Sequence, residues 1–148
     1  MNPTCEPIAR ALKENFYLFF QKYWSKICSD EFIESKHIKY IADELQHIGE
    51  KIIKREKPEY DWYIFNVPPG STKSSLCSIM WPTWLLVNDP SLFVINTSYS
   101  NELATDFIRK SFQILDAEDF IDFFGAFEFT KKNSDFIETK QNGGRFAG

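Results

Sequence analysis

Trp62-Tyr63-Ile64-Phe65-Asn66-Val67-Pro68-Pro69-Gly70-Ser71-Thr72-Lys73-Ser74-Ser75 is the stretch on which the fold turns. Trp62 to Val67 is almost continuously apolar and rich in strand formers, which suits a strand buried on both faces of a parallel sheet. Pro68-Pro69-Gly70 ends it abruptly. A helical pattern then opens near Lys73 and runs towards Val87, with Leu76, Ile79, Met80 and Leu85 inward. Pro82 inside that run predicts a kink or a break. Asn88-Asp89-Pro90 stops it, and Leu92-Phe93-Val94-Ile95-Asn96 reads as a second buried strand. Ser100 suits the N-cap of a helix carrying Leu103, Phe107, Ile108 and Ile114. Asp116 to Phe124 reads as a further short helix. Strand, turn, helix, strand, helix is the order of a βαβ unit, so the expected fold is α/β, a parallel sheet flanked by helices.

Upstream, Ile8, Leu12, Phe16, Phe19, Tyr23 and Ile27 recur at helical spacing, predicting one helix from Pro7 to Cys28. Ile38, Ile41, Leu45, Ile48 and Ile52 mark a second from about Lys36 to Lys54. The polar connector Arg55 to Tyr60 divides a helical segment, residues 1–57, from the core that follows, residues 58–148. Downstream, Phe127–Thr130 and Asp135–Thr139 look like short strands of an antiparallel hairpin. Asn142-Gly143-Gly144 signals a tight turn, and Arg145-Phe146-Ala147 begins a returning strand.

Composition narrows the classes. The 148 residues fit one domain, and 43% hydrophobic with 26% charged residues excludes intrinsic disorder. Seventeen basic against 21 acidic side chains leave a net charge of −4, which argues against a small basic module coating nucleic acid. Only Lys51, Lys54, Arg55 and Lys57 cluster, as a solvated helix end or a local phosphate contact. Aromatic residues make up 17%, which means a bulky core or an adhesive surface. Cys5, Cys28 and Cys77 form no Cys-x-x-Cys pair and read as free thiols in a reducing compartment. The opening residues carry no charged n-region or apolar h-region, and the run Phe16 to Phe20 is far too short to span a bilayer. A soluble intracellular protein with no membrane partner is expected.

The chemistry sits at Pro68 to Ser75. Against the phosphate-loop pattern G-x-x-x-x-G-K-[ST], Lys73-Ser74 matches the end, while Val67 and Thr72 replace both glycines. What the chemistry requires is still present in the sequence: a buried strand, a compact loop, then Lys and Ser at a helix start. Amides of Pro69-Gly70-Ser71-Thr72-Lys73-Ser74-Ser75, wherever an N–H exists, would cradle phosphate oxygens at the positive helix end. Lys73 would neutralise the β- and γ-phosphates as the catalytic clamp, and the Ser74 hydroxyl would ligate Mg²⁺. The plain alternative is an ordinary turn followed by an exposed helix start.

Asn66 to Ser75 resembles the deviant Walker A loop of tailed-phage terminase large subunits, where Pro-Pro and a short segment precede Lys-Ser. Trp84-Leu85-Leu86, Asn88-Asp89-Pro90, Val94 to Ser100 and Leu103-Ala104 resemble that family in order and spacing. His37 with Ile41 and Leu45 resembles the helix ahead of its ATPase core, and Asn142-Gly143-Gly144-Arg145 the hairpin before its Walker B strand. The resemblance spans about residues 31–148. It implies a P-loop NTPase-like fold and an ATPase, cofactors ATP and Mg²⁺, and a motor that moves double-stranded DNA into a procapsid. The implied partners are the portal protein, the terminase small subunit and further copies in a ring, and the implied place is the host cytoplasm at the procapsid portal. Full-length relatives also carry a nuclease. Two departures stand out: Gly70 and Thr72 occupy positions where many relatives have Arg and Gly. The paired acids of Walker B and the nuclease acids are not in this sequence. The expectation is therefore an ATPase front part, truncated before Walker B, that binds ATP with negligible turnover alone.

Secondary candidates are Arg145, as an arginine finger into a neighbouring subunit or a surface side chain, and Tyr99 with Ser98 at the carboxyl end of the second strand. His37 is a candidate adenine contact or a helix-surface residue. Two other classes stay open: another helicase-like P-loop ATPase, and a non-enzymatic interaction domain with a vestigial loop.

Overall fold

Asn15 divides the first helical run. The computed structural model describes residues 5–147 and shows two helices there, α1 (Glu6–Glu14) and α2 (Phe16–Ile27), where the apolar stripe predicts one. Asn15 leaves the helical region at φ −130°, ψ 104°, and its side chain accepts the Leu18 amide at 2.9 Å, a favoured N-cap. Gln46 completes the break from 30 residues away: its Oε1 accepts the Phe16 amide at 3.0 Å and its Nε2 donates to the Glu14 carbonyl at 2.9 Å. One side chain thus satisfies both backbone groups that the break opens.

Gln46 belongs to α3 (Lys36–Ile53), whose inner face lies against the helix that follows the loop. Gly49 permits that approach, since a Cβ there would stand 2.8 Å from the Trp84 ring. Two indoles tie the layers: Trp81 Nε1 donates to the Leu45 carbonyl at 2.8 Å and Trp84 Nε1 to the Leu12 carbonyl at 3.1 Å. Phe16, Phe19, Phe20 and Tyr23 share one hydrophobic core with Leu76, Ile79, Met80 and Trp84, so residues on both sides of position 57 pack together.

The helix after the loop changes character along its length. Ser75–Met80 is π-helical and continues into α4 (Trp81–Asn88). Pro82 lies at the start of α4, so the expected kink takes the form of a change from π to α register. Asp89 ends α4, and its carboxylate accepts Ser91 and Arg55. Burial works to raise its pKa, but these bonds outweigh it and hold the group below the usual carboxylate range.

β1 (Phe93–Asn96) is followed by α5 (Asn101–Leu115) and α6 (Glu118–Phe124), then by β2 (Phe129–Lys132), β3 (Phe136–Thr139) and β4 (Gly144–Ala147). The strand order is β1-β4-β3-β2, with β4 parallel to β1 and antiparallel to β3, and β3 antiparallel to β2. The tail hairpin and returning strand form as the turn signals predict, but β2 runs two residues later than the expected Phe127–Thr130 and takes in Lys131 and Lys132. Gly143 is required by close approach: a Cβ there would meet the Pro90 carbonyl oxygen at 2.2 Å. α5 covers one face, setting Ala104 and Ile108 against Ile137 and Ala147.

The expected first strand is not in this sheet. Trp62 to Val67 is irregular chain that runs beside the first turns of α3. Phe65 and Val67 pack on the core, while Trp62 and Ile64 are 87% and 90% exposed. Apolar character does not supply a hydrogen-bonding edge, and among the described residues β1 pairs with β4 alone. The expected strand at Trp62–Val67, and with it the strand that should precede the loop, is therefore corrected. The protein is α/β with six α-helices and an open, four-stranded mixed sheet among the described residues. No helix among them is long and apolar enough to cross a membrane.

Candidate phosphate-binding cleft

The loop is built from its turn chemistry. Pro69 precedes Gly70 at φ +77°, the pairing a type II turn takes, and Ser71 Oγ donates back to the Pro68 carbonyl at 2.6 Å. Thr72 then enters the left-handed region at φ +66°, which a β-branched residue seldom occupies. That reversal starts the helix at Lys73, and the Leu76 amide bonds the Thr72 carbonyl at 3.0 Å. Amides ahead of Leu76 are those a helix start leaves for a ligand or water, at the positive end of its dipole.

Facing the loop is the segment between α2 and α3. Trp24 Nε1 holds the Asp30 carbonyl at 2.8 Å, and Phe32 sits edge-on to Phe20 and Trp24 at 5.5 and 5.7 Å. Tyr17 donates to Glu34 at 3.0 Å. Between loop and segment lies an open cleft of about 580 Å³, within the usual range for small-ligand sites. Gly70, Ser71, Thr72, Ser74 and Ser75 line one wall; Trp24, Phe32 and His37 stand on the other, with Asp30 and Glu31. One wall offers hydroxyls and amides, the other aromatic surface and carboxylates.

Five of the loop residues marked in the sequence thus line one cleft with His37, whose Nδ1 is 3.0 Å from Ser35 Oγ. Pro69 lies in the turn just ahead. Lys73 is exposed on the first helical turn and is not part of the lining. Its charge reaches Cys77 one turn on, where burial nonetheless pushes the thiol up to about 11. Cys77 is therefore a neutral, half-buried thiol at physiological pH. For a divalent cation the cleft offers oxygen donors from Ser74, Asp30 and Glu31, the hard ligand type that suits Mg²⁺, beside the His37 imidazole and the Cys28 thiol. No group of three or more His, Cys, Asp or Glu able to hold a metal occurs among the described residues.

Two secondary candidates stand elsewhere. Tyr99 is 96% exposed beyond β1 and does not line the cleft. Arg145 is corrected on both expectations, finger and surface side chain, because it is 0% exposed. Its guanidinium donates to Asn96 Oδ1 at 2.8 Å, to Ser111 Oγ and to the Ser78 carbonyl. Burial alone works against its charge and lowers its pKa. A side chain so enclosed reaches no neighbouring subunit.

Sequence reasoning missed Trp24, Asp30, Glu31 and Phe32 as cleft residues. The available signal was the Asp-Glu-Phe-Ile-Glu run between two helices, too polar for a core and too aromatic for a plain linker. No protein-family model, curated protein or solved structure matches this chain.

Proposed function

We propose that this chain binds ATP through the Gly70–Ser75 loop, as the nucleotide-binding part of a terminase-like motor that packages double-stranded DNA. The observation that carries the reading is the cleft itself. A turn closed by Ser71 and a left-handed Thr72 delivers a free helix start to a space whose other wall is Trp24, Phe32 and His37. Phosphates at the helix start and a base against the aromatic wall would use both sides of that space. Lys73, exposed on the helical turn between cleft-lining Thr72 and Ser74, would supply a point charge to the phosphates, and the Ser74 hydroxyl would hold Mg²⁺, which would add charge neutralisation there. The motor, its DNA, and its portal and small-subunit partners rest on the resemblance of Asn66–Ser75 and the segments after it; a helicase-like P-loop ATPase would use the same cleft.

One observation favours the interaction-domain reading. Trp62, Ile64, Phe93 and Ile95 are all more than half exposed, an amount of apolar surface that a protein partner could cover. Thermal melting separates the classes. A ligand bound only by the native state, at a hundred times its Kd, adds about 2.7 kcal/mol. Mg-ATP is expected to raise Tm. A Tm unchanged up to millimolar Mg-ATP would favour the interaction domain.

A further inference from the structure

Pro82 creates a vacancy in the helix behind the loop. In α register the carbonyl of residue 78 accepts the amide of residue 82, and proline has none. The Ser78 carbonyl instead accepts Nη2 of Arg145, which arrives from β4, 67 positions along the chain. The same guanidinium holds Asn96 at the end of β1 at 2.8 Å and Ser111 on α5. Ser111 accepts Thr83 Oγ1 at 2.9 Å, and Thr83 Oγ1 also lies 2.6 Å from the Ile79 carbonyl. Two strands and two helices therefore meet on one buried cation beside the π-helical stretch that continues the phosphate loop.

That cation is expensive. Among the described residues Arg145 forms no ion pair, and a buried charge without a carboxylate is disfavoured against an apolar side chain of similar volume. An apolar residue would hold β4 against α5 equally well. It could not donate to Ser78. Lysine could not do so while also holding Asn96 and Ser111, because only the planar fork reaches in three fixed directions.

We infer that Arg145 is a positioning residue for the phosphate loop: its guanidinium replaces the amide that Pro82 lacks and holds residues 75–80 in π register, which sets how Ser74 and Ser75 face the cleft. The effect on binding rests on the nucleotide reading; the control of register does not. The test uses the full chain with Arg145→Met, Pro82→Ala and the double variant, each read by thermal melting and by Mg-ATP titration of the folded protein. Arg145→Met leaves the Ser78 carbonyl without its donor, so it should melt lower, and it should bind Mg-ATP about tenfold weaker, on the order of one lost charged hydrogen bond. Adding Pro82→Ala restores an amide at 82, so the double variant should recover most of the lost Tm, more than Pro82→Ala gains alone. Its affinity should stay low, because the turn then settles into α register. Wild-type affinity in folded Arg145→Met, wild-type affinity in the double variant, or no recovery of Tm on adding Pro82→Ala would overturn the inference. If the wild-type chain itself binds no Mg-ATP, the nucleotide reading falls, and the recovery of Tm alone decides the role of Arg145.

Discussion

Thr72 takes a backbone conformation that suits glycine better than a β-branched residue. Its φ of +66° is where glycine sits without penalty, and the left-handed region costs other residues roughly 1–2 kcal/mol. Glycine returns part of that gain through the unfolded chain, by about 0.5–1 kcal/mol. Thr72→Gly is therefore expected to stabilise by up to about 1 kcal/mol, seen as a higher urea midpoint at unchanged m-value. A lower midpoint would mean that Thr72 makes contacts worth more than its strain. Ser74 was legible as a loop residue from a local pattern and lines the cleft, whereas its neighbour Lys73 in the same pattern does not. The place of Arg145 was not legible, because its partners Ser111, Asn96 and Ser78 lie 34, 49 and 67 positions away and none is a charged residue.

Elements were legible where one face repeats and illegible where a distant partner decides. The stripes of α3 and α5 and the turn residues around β3 are local signals, and the structure places those elements accordingly. Trp62–Val67 has strand composition, but pairing needs an edge, and β1 gives its one occupied edge to β4. The break at Asn15 is stabilised by Gln46, which a stripe of apolar residues cannot announce. Gln46→Leu removes both bonds and leaves the Phe16 amide and Glu14 carbonyl unpaired. It should cost about 1–3 kcal/mol in chemical denaturation, with faster hydrogen exchange at Phe16. Unchanged stability would show that solvent satisfies the break without Gln46.

For the whole molecule, the aromatic excess has both meanings that composition allows. Phe16, Phe19, Phe20, Tyr23 and Trp84 are fully enclosed, whereas Trp62 and Tyr99 stand almost wholly in solvent. The enclosed set unites the N-terminal helices with the helix behind the loop, so the cleft is lined from both sides of residue 57 and depends on that shared core. The proposed function requires that a nucleotide be held between the loop and the Trp24–Phe32 wall. Calorimetric titration of Mg-ATP into the wild-type chain and into Lys73→Ala tests it most directly. Saturable binding by the wild type, lost or weakened at least about tenfold by removal of a phosphate-neutralising charge, is the predicted result. Equal affinity in the two proteins, or no binding by the wild type, would contradict it.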